Sequence, residues 1–148
     1  MTLQLDNPDP IALAEALRPA LLRVSRRLRQ EAQRVGMSAQ DALILNQIMR
    51  RPGVGVCDLA EVEQISRPTM SVHVKRLEAA GWVARAGHAE DGRRSGLAVT
   101  PEGARRLEAI RQQRNDWLAA RIAKLEPDAA NSLHAAVGPL LQLLALEP

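Results

Sequence analysis

Between Ser66 and Gly103 the chain writes out a helix with both of its ends specified and then, directly after it, two short strands around a polar, glycine-bearing tip. Ser66 offers a hydroxyl to the unpaired N–H groups of a first helical turn, and Pro68 sits just inside, where its missing donor costs nothing. Gly81 supplies the stop. Met70, Val74 and Leu77 recur at i, i+4 and i+7, which makes one apolar stripe and leaves Arg67, Thr69, Ser71, Val72, Lys75 and Arg76 pointing elsewhere. The spacing predicts a helix over 66–80 that packs on one side and is free to meet a partner on the other.

The flanking segments narrow the architecture. Upstream, Val56 to Glu63 places Val56, Leu59, Ala60 and Glu63 at helical spacing, and only Gln64 and Ile65 separate this segment from the Ser66 cap. Two short helices joined by so tight a turn form a helix-turn-helix. Ala60 is small enough for a close crossing, and Ile65 plugs the corner; no glycine occupies the turn. Downstream, Trp82 to Arg85 and Leu97 to Thr100 are short and rich in branched or bulky residues, and Gly87, Asp91, Gly92 and Gly96 lie between them. This pattern is a hairpin with a long tip, or wing, over 86–96.

The chemistry on these parts suits duplex DNA. A helix entering a major groove needs short donors and acceptors near its N-terminus for base edges, an apolar contact for thymine methyls and cations for phosphates. The candidate contact set is Ser66, Arg67, Pro68, Thr69, Ser71, Val72, Lys75 and Arg76. Arg93 and Arg94 at the wing tip suit a minor groove, whose narrow A·T-rich segments attract guanidinium groups. Asp91, two residues before Arg93, is placed to hold it by a charge-assisted contact. Taken singly, the helix also fits an ordinary solvated surface and the tip an ordinary charged turn. From Ser66 to Arg94 six cations face three carboxylates, so this stretch carries as much net charge as the whole chain's +3.

The residues that carry this pattern resemble the MarR family of winged-helix transcription regulators. The resemblance lies in SRPTMSVHVKRLEAAGWVAR, in the D-x-R of Asp91 to Arg93 and in the VTPEG that opens the next helix. It implies a homodimer whose helix 66–80 reads the major groove of a palindromic operator while Arg93 reads the minor groove. It also implies a repressor, with release by a small aromatic or anionic effector lodged between the first, second and fifth helices. The chain departs from the family at Val72, where a polar or basic residue is common, at His73, where an aliphatic one is, and at Ser95-Gly96, which interrupt the apolar second wing strand.

The remaining sequence fits around this unit. Of 148 residues, 46% are hydrophobic and 25% charged, with no Tyr or Phe, so the core is built from aliphatic side chains and helices are favoured. Residues 1–9 read as a mobile arm. Leu13, Leu17, Leu21, Val24, Leu28 and Ala32 mark a helix from Pro10 to Val35 that Pro19 must kink or restart, and the arginines along it suit flanking DNA, a dimer partner or a solvated face. A second helix runs from a Ser38 cap to about Arg51. After the wing, Leu107, Ile110, Trp117, Leu118, Ile122 and Leu125 line a long helix, and a last one begins at Glu126 with Leu133, Val137, Leu140, Leu141 and Leu144 on one stripe. The expected fold is mainly α with a small β-hairpin wing: a winged helix-turn-helix over 36–100, and a helical dimerisation region formed by 10–35 and 101–148. The terminal helices carry more apolar face than one small winged helix covers, which argues for a partner copy.

Other functions find little support. His73, His88 and His134 are scattered, no paired Cys/His spacing suggests a metal, and no serine has a nucleophile context, so neither an enzyme nor a cofactor is expected. Cys57, the sole cysteine, reads as structural and suits a reducing cytoplasm. The N-terminus lacks the pattern of a secretory signal, and no run is long enough to span a membrane. The competing class is a winged helix serving as a protein-protein module without DNA binding. Its mark would be loss of cations from helix and wing, yet Lys75, Arg76, Arg93 and Arg94 are present.

Overall fold

A computed structural model describes residues 7–87 and 95–146. Helix α1 (Pro10–Gln33) begins on Asp9, whose carboxylate accepts from the amides of Ile11 and Ala12, and it runs through Pro19 as one helix, so of the kink or restart the sequence allowed there, no restart occurs. Helices α2 (Ala39–Arg50), α3 (Val56–Val62) and α4 (Arg67–Ala79) follow, then strands β1 (Val83–Gly87) and β2 (Ser95–Val99), and helices α5 (Pro101–Ile122) and α6 (Pro127–Ala145). The helix-turn-helix is α3 and α4, packed on each other, with α2 seated against β2 and α5.

One core joins these elements. Ile44, Leu45 and Ile48 of α2, Leu59 of α3, the predicted stripe Met70, Val74 and Leu77 of α4, Leu97 of β2 and Ile110 of α5 are all buried. Each such side chain contributes about 1.5–3 kcal/mol by leaving water, so the stripe alone is enough to fix which face of α4 looks inward.

The tight turn between α3 and α4 has a specific backbone geometry. The amide of Ile65 donates to the carbonyl of Ala60 (2.9 Å) and that of Gln64 to Glu61 (3.2 Å), the paired bonds of a Schellman ending, and Gln64 itself takes φ of 52°. Ile65 packs against the core, as its place at the corner suggested. Gln64 is the only non-glycine among the described residues with positive φ, a conformation that costs an L-residue about 1–2 kcal/mol. Gln64→Gly is therefore expected to stabilise the protein by about 0.5–1 kcal/mol after the extra chain entropy of glycine is subtracted. The check is a melting temperature raised by about 3 °C; an unchanged or lower value would show that the Gln64 side chain makes up the difference.

The wing differs from its sequence reading. β1 and β2 pair antiparallel with Arg85 opposite Leu97, and the ladder extends through Ala86 opposite Gly96 to Gly87 opposite Ser95. Ser95 and Gly96 therefore continue the strand rather than interrupt it. Gly96 is required by its neighbour: a Cβ there would stand 2.6 Å from the Cα and carbonyl oxygen of Gly53. Two more hydrogen bonds, Gly53 N–H to Leu97 C=O (2.8 Å) and Leu97 N–H to Val54 C=O (2.9 Å), pin the wing's root to the loop between α2 and α3. Thr100, which the sequence places both at the end of the second strand and at the opening of the next helix, is the cap of α5; its hydroxyl accepts from the Gly103 amide (3.1 Å) and donates to the Gly81 carbonyl (2.6 Å).

The terminal helices separate into a buried and an unburied part. α1 packs on α5 around Glu31, which is fully buried, paired with Arg27 (3.0 Å) and Arg34 (3.4 Å), and hydrogen-bonded by Gln113 of α5 (2.9 Å). The Gln113 bond, and behind it the arginines, hold its carboxyl below the ordinary range. Trp117 lies half-buried nearby under the Arg121 guanidinium, 4.0 Å from its ring centre. Beyond this point the α5 seam emerges, with Ile122 and Leu125 exposed, and α6 buries none of its residues. Cys57, expected to be structural, is exposed near the start of α3.

Candidate nucleic-acid interface

The outward side of α4 opens on a capped entrance. Ser66 caps the helix, accepting from the Thr69 amide (3.3 Å) and donating to the Thr69 hydroxyl (2.8 Å), which fixes the orientation of both side chains at the helix entrance. Its hydroxyl is thereby committed to the cap. Arg67, Pro68 and Thr69 are exposed, Ser71 is half-buried, and Val72 is 63% exposed. An isopropyl group presented on this side of the helix can make the apolar contact that a thymine methyl offers. Arg67 and Lys75 are exposed and form no ion pair among the described residues.

Arg76 is placed differently. Its guanidinium reaches across to Asp41 of α2, to which it donates through Nη2, and the same nitrogen donates to Nδ1 of His73 at 2.9 Å. His73 lies 3.9 Å from the same Asp41 oxygen. Asp41 stands in the first turn of α2, where its amide donates to the Ser38 cap, and its pairing with Arg76 has no local signal because the partner lies 35 residues away. Arg85 of β1 is bonded to Glu78 at the end of α4 (2.9 Å), which braces the wing's first strand on the helix. Asp91, Arg93 and Arg94 lie outside the described residues.

A second concave feature lies between α1, α2 and α5, where the effector crevice was expected. It encloses about 520 Å³ and is lined by Leu21, Val24, Leu28 and Leu43 with Arg29 and Arg114. Arg114 donates through Nε to the Leu28 carbonyl (3.0 Å). Burial, and after it the charge of Arg29, lowers its affinity for its proton. Two arginines that repel each other beside an apolar floor make a site suited to an anion with an apolar body.

Residues 35–94, which begin just after α1 and stop just before β2, match the MarR family pattern. An uncharacterised HTH-type transcriptional regulator of Mycobacterium bovis is 34% identical over 140 residues, which cover 92% of this chain and 95% of that protein. This chain belongs to the MarR family. An uncharacterised HTH-type regulator of Mycobacterium leprae matches at 31% identity with the same coverage. The crystal structure of a transcriptional regulator from Pseudomonas aeruginosa superposes on this MarR-family chain with a TM-score of 0.77 at 32% identity, covering 96% of this chain and 99% of that one. A MepR variant of Staphylococcus aureus bound to an oligodeoxyribonucleotide shares the fold at 19% identity, with a TM-score of 0.69 over 88% of this chain and 96% of its own. The MarR-family chain is thus a DNA-binding winged helix-turn-helix transcriptional regulator. No helix among its described residues is long and apolar enough to cross a membrane.

Proposed function

We propose that this regulator acts in the cytoplasm as a homodimer that grips a palindromic operator, with α4 in the major groove and Arg93 and Arg94 of the wing in the minor groove. Occupancy of the operator then represses the adjacent genes. The observation that carries this reading is the outward side of α4: a capped entrance with Thr69 and Ser71, an exposed Val72, and Arg67 and Lys75 without carboxylate partners among the described residues, beside a wing pinned at its root. Ser66 and Pro68 shape that entrance. Helix α6, none of whose residues is buried, supports the second copy, because a stripe containing Leu133, Val137, Leu141 and Leu144 does not remain in water without a partner. The two-fold symmetry of such a dimer matches two half-sites about 10 base pairs apart. The cleft with Arg29 and Arg114 supports release by a small anionic or aromatic effector, since it touches both α1, on the dimer side, and α2, which carries the DNA-binding helices.

Selection of duplexes from a random pool tests this reading, and an inverted repeat is the expected product. Thr69→Ala or Ser71→Ala should then shift base preference within the half-site by about 1–3 kcal/mol per lost contact. Arg93→Ala should weaken binding while leaving the dimer intact. An unsymmetrical or absent consensus, or binding indifferent to salt, would favour the protein-protein module instead.

A further inference from the structure

Two of the α4 cations look equivalent in sequence, Lys75 and Arg76, yet among the described residues Arg76 is ion-paired and Lys75 is not. Asp41 is 6% exposed, in the first turn of α2, with its own amide bonded to Ser38 Oγ (3.0 Å). Its carboxylate is spent on Arg76. His73 completes the arrangement: an arginine only donates, so His73 Nδ1 is the acceptor, and the imidazole buttresses the guanidinium from the same helix. Arg76 and His73 occupy the flank of α4 between the buried stripe and the outward face.

We propose that Asp41 withholds Arg76 from the DNA, so that Arg76 is a positioning residue that sets the seat of α4 on α2, while Arg67 and Lys75 are the cations α4 gives to phosphates. This rests on the reading of α4 as the helix that meets the duplex. The physical argument has two parts. Viewed from a phosphate, an Asp–Arg pair in contact is close to neutral, and it releases no counterion on approach. Swinging Arg76 out to a phosphate would leave a buried carboxylate without its cation, and a buried charge that loses one partner is strongly penalised. The pair also gives His73 a role at a position where the family usually carries an aliphatic side chain.

The test is the salt dependence of binding to a duplex selected by the parent protein and to an unselected mixed-sequence duplex. For each phosphate neutralised, the slope of log K against log salt steepens by about 0.9. Lys75→Ala should make the slope shallower by about that amount per half-site. Arg76→Ala should lower affinity while leaving the slope at its parental value. Asp41→Asn, which keeps the shape and removes the charge, should free Arg76 and steepen the slope by about 0.9 per half-site on both duplexes. The double variant Asp41→Asn, Arg76→Ala should return it to the parental slope. A slope as shallow in Arg76→Ala as in Lys75→Ala overturns the proposal, and so does an unchanged slope in a folded Asp41→Asn protein. Should Asp41→Asn fail to fold, Arg76→Ala and Arg76→Gln decide the matter alone. If Lys75→Ala too leaves the slope unchanged, the placement of α4 on DNA has failed, and with it this proposal; a Lys75 effect accompanied by an equal Arg76 effect overturns only the latter.

Discussion

Glutamates placed at Val137 and Leu141 should convert the protein into monomers that no longer hold a full operator. The two side chains are 54% and 63% exposed and lie four residues apart, on one face of α6. In a monomer the substitutions replace two wet hydrophobic groups with two wet carboxylates, which is nearly neutral. In a dimer they bury up to four unpaired negative charges at the interface, and nothing in α6 offers compensation, because its only cation-forming group is His134. Loss of the tether turns two linked half-site contacts into independent ones, which lowers apparent affinity by about 10²–10⁴-fold. Light scattering during gel filtration gives the mass, and fluorescence anisotropy with a labelled operator gives the affinity. A variant that remains dimeric and binds like the parent removes α6 from the interface. A variant that is monomeric yet binds like the parent removes the palindrome instead.

How much of this was readable in advance depended on how far each determinant lies along the chain. The α4 helix was legible to the residue because its cap, its stripe and its glycine stop are all local. The turn before it was legible in place but not in conformation: Gln64 carries no mark of the left-handed backbone it adopts, since that state is imposed by the Ile65 to Ala60 hydrogen bond and by the seating of Ile65 in the core. Ser95-Gly96 looked like a break in the wing only because apolar alternation fails there. What the strand satisfies at Gly96 is the approach of Gly53, which belongs to a different loop. Arg76 looked like Lys75 for the same reason, its partner being on another helix. The rule that an interior proline kinks or restarts a helix is local, and of its two outcomes the restart does not occur, since α1 continues past Pro19. The unburied stripe of α6 was correctly legible as surplus, because counting apolar faces needs no knowledge of contacts.

Gly103 shows the same long-range logic at its most demanding, and its replacement is expected to be strongly destabilising. In sequence it is only the end of VTPEG, the third residue of α5, where alanine would ordinarily be welcome. In the structure a Cβ at this position would run into the carbonyl oxygen of Trp82, with Val99 Cγ1 only 2.9 Å away on the other side. Neither neighbour is free to yield. The Trp82 carbonyl already accepts the Thr100 amide (3.0 Å), and the Trp82 amide closes α4 by donating to Leu77 (3.0 Å). The obstruction is backbone on an element boundary that fixes α4, β1 and α5 together. Gly103→Ala should therefore cost about 3 kcal/mol, the upper part of the range for overpacking, and lower the melting temperature by roughly 10 °C. Gly55→Ser is the matched contrast. Gly55 caps α3 without a side-chain bond and a Cβ there meets nothing within 4 Å, so serine should be neutral or stabilise by a few tenths of a kcal/mol. Because the clash lies at the joint between the wing's strands and α5, Gly103→Ala should also weaken operator binding more than its loss of stability explains at temperatures where it remains folded. Equal stability of Gly103→Ala and the parent would mean that α5 can slide on β1, and that the wing is not held at a fixed angle to α4 by this contact.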